Sequence, residues 1–230
     1  MNKVNFFIVI DWLVTPMMEI GAEIGLRKAA EGEKVYILII DDYIKSEGYN
    51  NRLPNVLSRY DIPKKIEKII VSKDYKNLKV LRKKISKNIE KKFWPKQIIS
   101  AYNQIKKNEI EPINITLKNL YLNNINIGEG ILSSIISITK NKYPTFSNDK
   151  KTIKEVFNLF TRRYKIYEDF FKEDLEIENL VLFNGRFASS KAIESGIYKY
   201  KSYVNLLYYE RSHCLERYTL QSYMTHNREK

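Results

Sequence analysis

The sequence predicts an α/β fold with an open, mainly parallel sheet and flanking helices, and three features support this prediction. Continuous apolar runs rich in β-favouring residues occupy residues 4–11 and 35–42, which is typical of strands covered on both faces. A helical pattern lies between these two runs, and a second strand–helix–strand pattern occurs over residues 180–211. Such a succession forms a βαβ unit, so we expect parallel strands joined by right-handed crossovers.

The first βαβ unit is predicted to lead into a third strand. A helix from about Met18 to Ala30 follows the first strand, and Gly32 is its expected terminator. After the second strand, the sequence predicts a short helix at about residues 54–60, which ends at a proline-containing break. The apolar run at residues 66–72 is then predicted to be the third strand.

Positive charge is concentrated in one segment of the chain. The net charge is +13, and residues 64–107 alone carry 15 basic and 3 acidic residues. Apolar residues recur there at spacings of three and four, which predicts a basic amphipathic helix from about Tyr75 to Lys92. The apolar positions are Leu78, Leu81, Ile85 and Ile89.

Three interpretations of this basic segment stay open at the level of sequence. It can be a solvated helix face, or it can bind an anionic membrane surface, or it can bind nucleic acid. The chain has no zinc finger, no aromatic RNA-recognition motif and no glycine-rich clamp, so we expect no nucleic-acid partner.

The second half of the chain is predicted to be helix-rich before strands return. Residues 128–141 and 153–171 have helical patterns, whereas residues 115–124 can be strand or loop. Strands at residues 180–185 and 204–211 then flank a short helix at about residues 189–195. We therefore predict a single Rossmann-like α/β domain over residues 1–230, with a helix-rich insertion at about residues 75–175.

Composition and missing motifs exclude several classes of protein. Cys214 is the only cysteine and the chain has two histidines, so we expect neither a disulfide framework nor a bound metal. The sequence contains no apolar run of eighteen residues and no signal-peptide pattern, and we expect a cytoplasmic protein. It also lacks the GxGxxG, GxxxxGK[ST], HExxH and GxSxG motifs, which argues against dinucleotide, NTPase and hydrolase chemistry.

Polar residues follow four of the predicted strands. In an open parallel sheet, ligands bind at the carboxyl ends of the strands, where the loops converge and the next helices begin. We therefore expect these side chains to share one edge and to line a polar hollow. They are Asp11 after the first strand, Asp41 and Asp42 after the second, Asn184 and Arg186 after LVLF, and Glu210 and Arg211 after VNLLYY.

Structural roles are the alternative for the same residues. The aspartates can simply cap helices, and an ion pair between Arg186 and Glu210 would fix two loops without binding a ligand. Gly185 permits a tight turn or a positive φ, and Ser189 or Ser190 can cap the helix that follows. Arg186 would then be available to a carboxylate, a phosphate or a sugar hydroxyl.

Three blocks of sequence resemble bacterial surface-polysaccharide glycosyltransferases of the capsule-biosynthesis type, which have a GT-B architecture. They are FNGRFASSKAIESG at residues 183–196, YYERSHCLERY at residues 208–218 with the later His226-Asn227, and INIGEGILSSIISITKN at residues 125–141. The resemblance implies the amino-terminal, acceptor-side half of such an enzyme. It places a substrate site near Asp11, Asn184, Gly185, Arg186, Glu210 and Arg211, with Gly128 and Ser133 nearby.

The resemblance also implies a set of partners. The acceptor would be a saccharide or a lipid-linked saccharide of capsule or lipopolysaccharide assembly, and the donor a nucleotide sugar used without a metal or other cofactor. These residues leave no room for the second, donor-binding domain of a GT-B enzyme, so we expect a truncated chain, a gene fragment or one half of a two-chain enzyme, which would be inactive alone. The basic segment would bring the protein to the inner membrane surface.

The alternative is a noncatalytic module that binds a saccharide or a protein.

Overall fold

A six-stranded sheet forms the centre of the computed structural model, which describes residues 2–11, 17–41, 67–84, 94–172, 175–201, 203–211 and 218–221. The strand order is β3-β2-β1-β6-β7-β8, in which the first five strands are parallel and β8 is antiparallel to β7. The strands are β1 Asn2–Ile10, β2 Val35–Asp41, β3 Leu78–Lys84, β6 Leu175–Phe183, β7 Asn205–Arg211 and β8 Tyr218–Gln221. This confirms the predicted Rossmann-like α/β fold, and both predicted βαβ units are present.

Helices lie on both faces of the sheet. They are α1 Met17–Ala30, α2 Lys96–Lys107, α3 Asn114–Leu117, α4 Ile127–Thr139, α5 Phe146–Phe171 and α6 Ala188–Tyr198. A two-stranded hairpin, β4 Tyr121–Leu122 with β5 Ile125–Asn126, precedes α4. Residues 67–71 are also helical.

The two faces of the sheet bury different side chains because successive residues of a strand point to opposite sides. Ile8, Ile10 and Ile37 pack with α1 on one face. Phe7 and Val9 pack on the other face with aromatic residues of α5 and apolar residues of α6. The parallel strands are therefore covered on both sides, as their continuous apolar sequences predict.

Helix α5 extends past the carboxyl edge of the sheet. Its last residues, Phe170 and Phe171, lie with ring centroids 5.5 and 5.7 Å from that of Phe7 in the middle of β1. Arg163, further back along the helix, contacts Asp11 just beyond the end of β1. The preceding residues from Phe146 onwards therefore lie outside the sheet, and the helix between a kink at Asp149 and Arg163 is about 20 Å long at the rise of an α-helix.

This overhanging part of α5 packs with α2, α3, α4 and the hairpin into what we call the helical lobe, residues 94–162. The lobe has its own apolar core, which also includes Ala188 and Ala192 from the first turns of α6. Trp94, Tyr102, Phe146 and Phe157 stack or meet edge to face within it. The helical lobe thus sits on the carboxyl edge of the sheet and on the start of α6.

Two predicted elements in the basic segment are wrong. The predicted third strand at residues 66–72 is helical at residues 67–71, where only Ile70 is buried. The strand is instead β3, inside the predicted helix from Tyr75 to Lys92. Leu78 packs on the α1 face and Leu81 on the opposite face, so their spacing of three reflects strand alternation and not a helical stripe.

The lysines of β3 cover aromatic rings at the side of the sheet. Lys79 Nζ lies 5.3 Å from the ring centroid of Tyr36, and Lys83 Nζ lies 5.8 Å from that of Phe170. Lysine-rich edge strands resist pairing with other chains, which gives the basic composition a structural use. The predicted helix at residues 54–60 and the positions Ile85 and Ile89 lie outside the described residues.

Later elements match their predicted type with shifted ends. Helix α4 lies within the predicted residues 128–141 apart from one residue at its start, and α5 begins seven residues before the predicted Ile153. Strand β6 begins at Leu175, five residues before the predicted start. The ambiguous residues 115–124 form most of α3 and the first strand of the hairpin.

Candidate functional site

The order of the strands reverses between β1 and β6, which are neighbours in the sheet. From β1 the chain crosses to β2 on one side, and from β6 it crosses to β7 on the other. Helices α1 and α6 follow these two strands and cover opposite faces, so a crevice is expected where they diverge at the carboxyl edge. Asp11 and Asn184 are the first residues after the two strands.

Asp11 forms a buried ion pair with Arg163 of α5. Arg163 Nη1 donates to Asp11 Oδ2 at 2.6 Å, and Nη2 donates to the Asp11 carbonyl oxygen at 3.3 Å. Both side chains are buried. Asp11 therefore joins the end of β1 to the helix of the overhanging lobe. This contact differs from the helix cap that was its structural alternative.

Asn184 and Glu210 meet at the ends of β6 and β7. Asn184 Nδ2 donates to Glu210 Oε1 at 2.9 Å, and the Asn184 backbone N–H donates to the Tyr209 carbonyl oxygen at 3.0 Å. Asn184 is 2 % exposed, and its other amide atom, Oδ1, is buried without a hydrogen-bond partner in the described structure. The polar pair lies on the face of the sheet that α5 and α6 cover, since Tyr208, two residues before Glu210, packs there.

A tight turn follows Asn184, as the glycine predicts. Asn184 has φ +60° and Gly185 has φ +73°, so two consecutive residues are left-handed. The Gly185 N–H donates to the Phe183 carbonyl oxygen at 2.7 Å. We call residues 183–186 the Asn184 turn.

Arg186 leaves this turn towards solvent. It is exposed, and its guanidinium carbon lies 4.7 Å from the ring centroid of Phe187. Glu210 is held by the Asn184 amide, and an Arg186–Glu210 ion pair does not occur among the salt bridges of the described residues. A guanidinium resting on a ring stays accessible to an anionic group of a ligand.

Tyr209 fastens the start of α1 to the same edge from the other face. Its hydroxyl donates to the Met17 carbonyl oxygen at 3.2 Å. Burial, followed by the nearby charges of Asp11 and Glu19, raises the pKa of the Tyr209 phenol, so it remains protonated. A Cβ on Gly21 would lie 2.9 Å from this hydroxyl, which explains the glycine in α1.

Helix α6 is capped by the helical lobe, and the predicted caps at Ser189 and Ser190 are wrong. Ser134 Oγ of α4 accepts a hydrogen bond from the Ala188 backbone N–H at 2.9 Å. Ser190 instead donates to the Phe183 carbonyl oxygen at 3.0 Å, and Phe187 occupies the N-cap position without a side-chain cap. The cap comes from another helix because Phe187 has no side-chain acceptor.

The other predicted residues of α4 have packing roles in the described contacts. A Cβ on Gly128 would lie 1.8 Å from the Leu117 carbonyl oxygen, so this glycine allows α4 to approach α3. Ser133 is half-buried on α4. No hydrogen bond or ion pair among the described residues joins either residue to the Asn184 turn.

A buried charged pair lies within α6. Lys191 Nζ is 2.7 Å from Glu194 Oε2, and both side chains are buried. Burial raises the pKa of the Glu194 carboxyl against the opposing effect of Lys191, and Tyr208 is a further hydrogen-bonding neighbour. A Cβ on Gly130 would lie 2.5 Å from Lys191 Cγ, so this glycine of α4 leaves room for the lysine stem.

Sequence reasoning missed Arg163, Ser134 and Tyr209. A signal existed for Arg163, because Phe160, Tyr167 and Phe170 lie three before, four after and seven after it, on one helical face. An arginine within an aromatic stripe indicates a buried partner. The side chains of Asp41 and Arg211, and all of Asp42, lie outside what the structure describes.

The described residues include no group of three or more His, Cys, Asp or Glu side chains that could hold a metal ion. None of the helices in the described ranges is both long and apolar enough to cross a membrane. Comparison with family models, with curated proteins and with solved structures found no match to this chain.

Proposed function

We propose that this chain is the acceptor-side half of a GT-B glycosyltransferase of capsule or lipopolysaccharide assembly. The observation that carries the proposal is the polar Asn184–Glu210 pair at the carboxyl ends of β6 and β7, beside the β1–β6 position where the strand order reverses and next to the helical lobe. In open α/β sheets this is the position where ligands bind. The resemblance of residues 183–196 and 208–218 to such enzymes supports the same site.

The polar groups at this edge suit a saccharide. Amide and carboxylate oxygens accept hydrogen bonds from sugar hydroxyls, and the Asn184–Glu210 pair supplies both types of group. The accessible Arg186 would bind a carboxylate or phosphate of the acceptor. Asp11 is occupied by Arg163, so in this proposal it holds the lobe in place and the contacts to the acceptor fall to its neighbours.

The donor side of the reaction would be supplied by a second domain or a second chain. Stabilisation of a leaving nucleoside diphosphate requires helix amino ends and basic side chains, which need no metal. Transfer activity is therefore expected only when the donor-binding half is present.

An activity assay with candidate partners tests this function. The chain would be incubated with a panel of nucleotide sugars and acceptor saccharides, with and without the products of neighbouring genes. Transfer that appears only with a partner is the expected result. Saccharide binding without turnover under every combination would favour the noncatalytic module, and tight nucleotide binding by the isolated chain would favour a nucleotide-acting enzyme.

We also propose that an anionic membrane surface is a partner, because lipid-linked acceptors lie there. The excess of basic residues in 64–107 is a property of the sequence. It remains although the structure has strand β3 where a basic helix was predicted. Vesicles of phosphatidylcholine with phosphatidylglycerol should retain the protein at low salt and release it at high salt. Equal retention by pure phosphatidylcholine vesicles, or none by either, would contradict this partner.

A further inference from the structure

Asn184 combines a left-handed backbone, which asparagine adopts more readily than most residues, with two features that are unfavourable in a residue with only a structural role. Its backbone is left-handed, its side chain is almost fully buried, and its Oδ1 has no hydrogen-bond partner in the described structure. A glycine would adopt the same backbone without strain, and an apolar residue would avoid the unsatisfied oxygen. Strained and unsatisfied residues cluster at binding sites, where a ligand offsets their cost.

Glu210 fixes which end of the Asn184 amide is unsatisfied. The Asn184 NH₂ group faces Glu210, and Nδ2 donates to Glu210 Oε1 at 2.9 Å. The opposite end of the amide is then always the carbonyl oxygen. The Asn184 backbone N–H is already bonded to Tyr209, so Oδ1 is what remains for a ligand.

We propose that Asn184 Oδ1 accepts a hydrogen bond from one sugar hydroxyl of the acceptor, and that Glu210 is a positioning residue which holds the amide in this orientation. The inference rests on the proposed function, in which the ligand is a saccharide. It adds a recognition rule: the group of the ligand that meets Asn184 must donate a hydrogen bond. A ligand group that only accepts hydrogen bonds, such as a phosphate oxygen, a carboxylate or an ether, is rejected at Asn184. Such anionic groups belong at Arg186, on the exposed side of the turn.

The rule can be tested with sugars that lack one hydroxyl. Methyl glycosides of glucose, galactose, mannose and N-acetylglucosamine are screened first by ligand-observed NMR. For a glycoside that binds, each hydroxyl is replaced in turn by hydrogen. We expect one deoxy analogue to bind the unaltered protein about tenfold more weakly, which is the usual effect of one lost hydrogen bond.

Binding of the same deoxy analogues to protein variants identifies the residue that accepts the hydrogen bond from this hydroxyl. In Asn184→Gly, which keeps the left-handed backbone, the parent sugar and the critical deoxy analogue should bind equally. Glu210→Gln frees the amide to rotate and should weaken binding of the parent sugar. The double variant Asn184→Asp with Glu210→Gln reverses the hydrogen bond, leaves an acceptor towards the ligand and should restore the discrimination.

Each outcome bears on a different claim. If no glycoside binds the unaltered protein, the proposed function fails together with this inference. If a glycoside binds but Asn184→Gly retains the preference for the critical hydroxyl, only the recognition rule fails. If Asn184→Gly abolishes the preference but the double variant does not restore it, the positioning role of Glu210 is wrong. Unfolding temperatures of all variants, together with the exposed control Glu23→Gln, establish that each one is folded.

Discussion

Buried ionic groups at the carboxyl edge hold the helical lobe onto the sheet. The Asp11–Arg163 pair joins residues 152 positions apart in sequence, between the end of β1 and the middle of α5. An ion pair that is removed from water contributes little net stability, but breaking it leaves a buried charge without compensation. Its value to this fold lies in fixing one position of the lobe.

This reasoning predicts an asymmetric response to mutation. Arg163→Leu should lower the free energy of unfolding by about 3–5 kcal/mol, because the buried Asp11 loses the guanidinium with which it pairs. The double variant Asp11→Leu with Arg163→Leu should recover most of that loss. Urea unfolding measures both values, and Arg27→Leu is the matched control because the exposed Arg27–Glu23 pair is expected to contribute less than about 1 kcal/mol. Equal losses in the single and double variants would contradict the argument.

A second prediction at this scale concerns acid stability. Glu168 of α5 lies against Lys199, just after α6, and 3.4 Å from Lys165 Nζ. Burial alone would raise the pKa of Glu168, but the hydrogen bond and charge of Lys199, helped by Lys165, lower it overall. A folded pKa below the unfolded value means that the stabilisation is present above about pH 4.3 and disappears as the pH falls through the folded pKa.

Glu168→Gln should therefore be less stable than the unaltered protein near neutral pH and approach its stability in acid. The free energy of unfolding, measured by urea titration across this pH range, is the relevant quantity. Asp169→Asn, on the exposed side of the same helix, is the control. A stability difference that stays constant with pH would show that the ionisation of Glu168 is not responsible.

At the scale of elements, two neighbouring serines of α4 have different roles. Ser134 caps α6 through the Ala188 N–H, whereas Ser133 makes no described hydrogen bond. Loss of an N-cap costs about 1 kcal/mol, so Ser134→Ala should reduce stability by about this amount. Ser133→Ala should change it by less than about 0.5 kcal/mol. Chemical unfolding of the two variants compares the positions directly, and similar losses would refute the cap.

Local sequence patterns predicted the elements whose environment is uniform along their length. Strands β1 and β2 are continuous apolar runs and were predicted within a few residues, because burial on both faces leaves little choice of residue. Strand β3 was predicted as a helix, since Leu78 and Leu81 on opposite faces of the strand have a spacing of three that imitates a helical pattern. The misassigned run at residues 67–71 shows that a short apolar segment does not distinguish the two structures.

The candidate site was predictable only in part for a related reason. The strand ends predicted that Asn184 and Glu210 share one edge of the sheet, whereas their direct hydrogen bond was not predicted. Nothing local to Asp11 identified Arg163, and nothing in α6 identified Ser134. Arg163 comes from α5 and Ser134 from α4, and their approach depends on how these helices pack across the edge of the sheet.

On the scale of the whole molecule, the strand order predicts where the structure opens first. Strands β1 and β6 have neighbours on both sides, whereas β3 and β8 are the outer strands of the described sheet. Amide hydrogen exchange should be slowest in the middle of β1 and β6 and faster by at least an order of magnitude in β3 and β8. Exchange measured by NMR or by mass spectrometry of peptides tests this, and uniform protection across the sheet would contradict it.

The position of β1 also constrains how the polypeptide is made. Strand β1 is translated long before its neighbour β6, and the registers join Asn2 to Leu175 and Ile8 to Val181. The backbone N–H and C=O groups on the β6 side of β1 therefore lack their hydrogen-bond partners until more than 170 further residues have been translated. During that interval a bare, apolar edge is open to premature association, so the nascent protein is expected to depend on chaperones more than a chain whose early strands pair with one another.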